Sequence, residues 1–178
     1  MLHHAHPELK SAEFVVFADA SRRYVDCTEA VCVLLGYTRE EILSKTIEDV
    51  SYNVDEVPRL FAQYLKTGAM EGEYVLQRKD KTPVPIRYKA LVLKDGCNAA
   101  IWDPIKDWRE PYLAALLEMD SAKLKRKLEV ALVAIQAARA SQGPSPPPPH
   151  EQQAMNDAVS ALNSLLRTAK PGPLGAAK

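Results

Sequence analysis

Cysteine and histidine are the side chains here best able to carry metal, haem or thiol chemistry, and their spacing excludes most of it. Cys27, Cys32 and Cys97 make an odd number. Cys27 and Cys32 stand five positions apart rather than three, and no histidine pair accompanies them. That is not the spacing of a zinc site, so no metal site is predicted. Free thiols in a reducing compartment are the expected state, with a redox role for Cys27 or Cys32 as the alternative. His3, His4 and His6 cluster near the N-terminus, where an unstructured leader is expected before a metal-binding tail. No Ser/His/Asp set, paired carboxylates or phosphate-cradling glycine loop can be read. The expectation is therefore a protein that is not an enzyme.

Charge narrows the partners. Lysine and arginine total 23, and aspartate and glutamate total 23, so the basic excess of a nucleic-acid-binding domain is missing. The one basic cluster, Lys123-Leu124-Lys125-Arg126-Lys127, lies in a helical pattern and reads as a solvated helix face. The N-terminal residues lack the apolar stretch of a signal peptide, and no run approaches the ~18 apolar residues of a membrane span. A cytoplasmic protein without membrane contact is expected.

Composition divides the 178 residues into a flexible leader (1–12), a globular region (13–105), a long helix (106–141), a proline-rich linker (142–150), a short helix (151–168) and a disordered tail (169–178). Within the globular region, 13–17 and 23–26 are β-type runs. Thr28 stands as the N-cap of a helix that Gly36 stops, and Thr38-Arg39-Glu40-Glu41 has capping-box form. A third helix carries Pro58 in its first turn and ends at Gly68. After it the period changes from 3.6 to 2: Val84, Ile86, Tyr88, Ala90 and Val92 alternate with other residues, as in a half-buried strand. Lys79 to Thr82 and Asp95-Gly96 are the turns of two hairpins. The fold class is α+β, a five-stranded antiparallel sheet with short helices on one face, followed by a long C-terminal helix.

Three segments carry a family resemblance. Tyr24-Val25-Asp26-Cys27-Thr28-Glu29-Ala30 with Leu34-Leu35-Gly36-Tyr37-Thr38-Arg39-Glu40-Glu41 resembles the entrance of the PAS family. Arg78 to Ile86 is similar to a hairpin of that family, and Ala100 to Ile105 to its exit segment, which makes 13–105 the PAS domain. The chain departs from the pattern at Thr28, where asparagine is common, at Asp80-Lys81, where Asp-Gly is usual, and at Asp103-Pro104-Ile105, where Asp-Ile-Thr is common.

The resemblance implies a small cavity between sheet and helices that relatives load with haem, flavin, small acids or nothing. Haem needs an axial ligand, usually a histidine on the third helix, and all four histidines lie outside the domain. The light-sensing flavin relatives need a cysteine where Tyr52-Asn53-Val54-Asp55 stands. Neither cofactor is expected. The candidate pocket residues are Val15, Phe17, Leu34, Leu35, Val50, Leu60, Phe61, Tyr64, Ile86, Tyr88 and Ile101. They either fill a plain core or surround a small apolar molecule oriented by Tyr64 or Tyr88.

Asp103 and Pro104 are the expected signal exit. Beyond them Leu113, Leu117, Leu124, Leu128 and Ile135 fall near heptad spacing, as for a dimerising coiled coil; the alternative is a helix folded back on its own domain. The function implied is a stand-alone sensory or protein-interaction module acting as a homodimer, with a kinase or regulator as signalling partner. The alternatives are a purely structural dimerisation module and a degenerate sensor histidine kinase. His150-Glu151 is similar to the pair that opens a phosphotransfer helix, but it follows four prolines.

Overall fold

Apolar runs and, in β4, a two-residue alternation underlie the strands β1 (Phe14–Ala18), β2 (Tyr24–Cys27), β3 (Ala69–Gln77), β4 (Pro83–Val92) and β5 (Asn98–Pro104). The computed structural model describes residues 9–93, 96–140 and 147–168. The five strands form one antiparallel sheet in the order β2-β1-β5-β4-β3. Between β2 and β3 run helices α1 (Glu29–Leu35), α2 (Arg39–Leu43) and α3 (Val57–Thr67). The expected fold class is present.

Local chemistry sets the helix ends. Gly36 at φ +74° closes α1, and its lack of a Cβ makes that left-handed position cheap. Thr38 and Glu41 form the complete capping box of α2. Thr28 behaves differently from expectation. Its backbone starts α1, but its side chain makes no cap bond. Instead the hydroxyl donates to the Glu13 carbonyl and accepts from the Val15 amide, so it ties the helix entrance to β1. The β3–β4 turn holds Lys81 at φ +71°, with the Asp80 carboxylate accepting from the Thr82 amide and hydroxyl.

Apolar side chains cover both faces of the sheet. On the helix side, Val16, Tyr24, Val31, Leu35, Ile42, Val50, Ile86 and Trp102 form the main cluster. On the other side Val15, Phe17, Leu93 and Ala99 pack with Leu9. Leu9 is 1% exposed, so residues 9–12 are not the free leader expected for 1–12; burial of one leucine side chain there offsets the ordering of the segment. His3, His4, His6, the Asp95 half of the Asp95-Gly96 turn, residues 141–146 at the start of the proline run and the tail from 169 lie outside the described residues.

The chain divides into two units, residues 1–105 and 106–178. The second contains α4 (Arg109–Leu116), α5 (Ser121–Ala140) and α6 (Pro149–Thr168). The continuous helix expected over 106–141 is broken between Leu116 and Ser121, around the Asp120 that interrupts its apolar stripe; α5 is the long C-terminal helix. The heptad residues are divided too. Leu128 and Ile135 are fully buried with Ala131, Met155, Ala158 and Leu162, and Leu124 packs against the same cluster. Leu113 and Leu117 are exposed. The stripe assigned to a dimer seam is thus largely consumed inside the unit, because α6 supplies the apolar face that a second chain would otherwise provide. Helix α6 begins at Pro149, inside the expected linker, as a proline in a first turn can. Glu151 accepts from Trp108 Nε1 at 3.1 Å and pairs with Arg109, and these bonds hold its carboxyl below the usual range.

Among the described residues no helix is long and apolar enough to cross a membrane, and no group of three His, Cys, Asp or Glu side chains is placed to hold a metal.

Candidate functional site

Helix α3 is amphipathic because Val57, Leu60, Phe61 and Tyr64 recur at helical spacing. Across the cavity that face meets residues of β3, β4 and β5. Ala90 of β4 and Ala100 of β5 are direct cross-strand partners. Two methyl groups face each other there, and the helix side chains do not fill the space above them. The result is a cavity of about 130 Å³, lined on the helix side by Ile47, Val57, Leu60, Phe61 and Tyr64 and on the sheet side by Val16, Ala18, Ile86, Tyr88, Ala90, Ala100 and Trp102.

Polar groups are few and mostly committed. The Tyr64 hydroxyl donates to Asn98 Oδ1 at 3.1 Å, and Asn98 Nδ2 donates to the Ala18 carbonyl at 3.1 Å. Both side chains belong to buried residues. Burial pushes the Tyr64 phenol up to about 12, with Cys97 adding to the effect. Tyr24, also in the lining, is pushed far above the ordinary phenol range, first by burial and then by Glu48. The Tyr74 hydroxyl donates to the Asn53 carbonyl at 2.7 Å. Tyr88 lies over Gly72, its cross-strand partner, and a Cβ at Gly72 would come within 3.4 Å of the ring. Absence of that Cβ leaves the tyrosine room to lie flat at the cavity edge. These groups can orient a neutral molecule; the lining offers no cation to pair with an anion.

Of the sequence candidates, the fold brings together Leu60, Phe61, Tyr64, Ile86 and Tyr88 at the cavity. Leu34, Leu35 and Val50 belong to the surrounding core and do not line it. Val15, Phe17 and Ile101 point to the opposite face. The correction is one of phase: neighbouring strand residues face opposite sides, so Val16 and Ala18 take the places assigned to Val15 and Phe17, and Ala100 and Trp102 that of Ile101. Asn98, Ala90 and Ala100 were not candidates. Ala90 before the second hairpin and Asn98 and Ala100 after it were legible as strand positions, but the facing of the β5 residues depends on the β1–β5 register, in which Ala18 pairs with Asn98, and that of Ala90 on its pairing with Ala100. At the expected exit, Asp103 is exposed and lies 3.7 Å from Arg87. Pro104 remains within β5, paired with Ile86, rather than breaking the strand.

The family model described as PAS domain matches residues 12–102, just over half of the chain. Similar solved structures include a domain of the sensory box sensor histidine kinase/response regulator from Geobacter sulfurreducens. It is 25% identical and covers 52% of this chain and 83% of that one, with a TM-score of 0.47. The PAS domain of a protein from Desulfitobacterium hafniense is 22% identical over 55% of this chain and 97% of that one, TM-score 0.47. The PAS domain of an HTR-like protein from Haloarcula marismortui is 18% identical over 58% and 94%, TM-score 0.48. No curated protein matches the chain.

Proposed function

The chain belongs to the PAS domain family, and on that premise we propose that it is a signalling sensor whose first unit binds a small, neutral, largely apolar molecule. The cavity carries this reading. Its volume, about 130 Å³, is close to the ~150 Å³ of an apolar cavity that accepts benzene. It is too small for a flavin or a porphyrin. A ligand of that size gains mainly from apolar burial, which sets Kd on the order of 0.1–1 mM. Tyr64 and Asn98 give one polar handle. The module has no catalytic step of its own; it acts in the cytoplasm by passing occupancy through residues 103–168 to a signalling partner, a kinase or regulator.

Isothermal titration of the full chain with benzene, phenol and short alkanols tests the binding claim, with native mass spectrometry of protein purified from its host. One saturable site is expected. Failure of every probe, with no co-purified small molecule and no captured signalling partner, removes the sensing reading.

A structural dimerisation role is the second reading. It is favoured by Leu113, Leu116, Leu117 and Met119, which are 55%, 42%, 78% and 97% exposed around the end of α4. Clustered exposed side chains of this kind mark interaction surfaces. Light scattering on the full chain should then give a dimer mass that Leu117→Glu reduces to a monomer. A monomeric wild type excludes it.

A further inference from the structure

A second concave feature lies on the surface, away from the cavity. It is a wide groove bounded by the end of β2, α1, the start of α2 and the β3–β4 turn, and Cys27, Cys32, Tyr37, Arg39 and Lys79 are among its lining residues. Two thiols meet at its floor. The Sγ atoms of Cys27 and Cys32 are 3.6 Å apart, and neither is in a disulfide. They differ in access: Cys27 is 2% exposed, whereas Cys32 is half-buried on α1. Arg39 donates to the Cys27 carbonyl, stands 3.8 Å from its Sγ and is anchored by the buried carboxylate of Asp26. Arg39, its charge paired with Asp26, therefore packs against the buried Cys27 and leaves the half-buried Cys32 as the thiol a small oxidant reaches first.

We infer that Cys27 and Cys32 form a peroxide-reactive dithiol that closes to an intramolecular disulfide, with Cys32 as the attacking thiol and Cys27 as the resolving one. The Cys32 thiolate attacks one peroxide oxygen, the O–O bond breaks, and the sulfur becomes a sulfenic acid as hydroxide leaves. Cys27 then attacks that sulfur. An S–S bond forms, the S–O bond breaks, and the hydroxyl departs as water with the Cys27 proton. Two electrons pass from the two thiols to the peroxide. Burial, and then its hydrogen-bonded neighbour Cys32, pushes the Cys27 thiol up to about 12, which suits it to resolving rather than to first attack. Closure to the ~2.05 Å of a disulfide asks for an approach of about 1.5 Å.

Trypsin releases both thiols in one peptide, residues 24–39, which has no internal lysine or arginine, while Cys97 falls in another. The reduced full chain is treated with hydrogen peroxide, alkylated and digested without reductant. Peptide 24–39 is expected two hydrogens lighter and unalkylated, and dithiothreitol should restore two alkylation sites, with Cys97 alkylated throughout. In Cys27→Ser, Cys32 should stop at a sulfenic acid that dimedone traps; if that variant does not fold, the wild-type digest still decides. The inference is overturned if both thiols of the peptide stay alkylatable at peroxide levels that oxidise Cys97. It is equally overturned if Cys32 becomes a sulfinic acid beside a free Cys27, or if disulfide-linked dimers form instead.

Discussion

The bond from Tyr64 to Asn98 joins α3 to β5, and Asn98 passes the connection to β1 through the Ala18 carbonyl. Tyr64→Phe removes the donor and leaves a buried amide oxygen short of a partner, at a cost of about 1–2 kcal/mol. It should also weaken any ligand that uses this handle, which titration calorimetry would separate from the loss of stability. The same residue predicts an alkaline effect. Its phenol titrates near 10 in the unfolded chain and at about 12 in the fold. Between those values the unfolded chain has released a proton that the folded one retains, so stability falls with rising pH. Urea midpoints from pH 9 to 11 should fall less steeply in Tyr64→Phe than in wild type; equal slopes would contradict the assignment. At the β3–β4 turn, Lys81 occupies a left-handed position at φ +71°, where glycine avoids a Cβ clash. Lys81→Gly should stabilise the chain by about 1 kcal/mol, read as a rise in urea midpoint. Here the sequence was informative in advance, since Asp80-Lys81 already stood out against the usual Asp-Gly. Asn98 was not legible, because its value comes from a hydrogen bond across 34 residues that no local pattern encodes.

Elements were easier to read than their facing. Glycine stops, the capping box and the change of period located α1, α2, α3 and β4 of the first unit, because those signals are local, whereas β3, expected over 73–78, begins already at Ala69. Which side of β1 or β5 meets the helices is decided by pairing, and both sides turn out apolar, so hydrophobicity alone could not distinguish Val15 from Val16. The cavity has the same origin: it exists where Ala90 and Ala100 coincide across two strands, a coincidence of register. Ala100→Leu therefore probes it directly. A close-packed core would resist the added carbons at about 1–3 kcal/mol, whereas an open cavity would accept them and gain about 0.8 kcal/mol per buried methylene. The expected result is an unchanged or raised melting temperature with loss of small-molecule binding. A strongly lowered one would mean that the space is not open. In the second unit the stripe Leu124, Leu128 and Ile135 was legible as a packing face, but its partner was not, because α6 lies beyond the proline run and no local signal tells an intramolecular partner from a second chain.

At the scale of the whole molecule, the chain is two units with separate apolar clusters, residues 1–105 and 106–178. A sensor needs occupancy of the first to change the second, and a ligand shifts an equilibrium only by its differential affinity for the two states. Ala100→Leu serves as an occupant that cannot dissociate. If the cavity reports through β5 and its end at Pro104, amide exchange in residues 109–168 of the full chain should differ between this variant and wild type, in the same direction as the change caused by a bound ligand. The exchange of α4 and the start of α6 is the most sensitive readout, since the Trp108, Arg109 and Glu151 bonds that join them are polar and partly exposed, and such contacts open at lower free energy than buried apolar packing. Protection that rises in the sheet while residues 109–168 exchange at wild-type rates would leave the first unit a ligand-binding domain and would end the proposal that the second unit carries its signal.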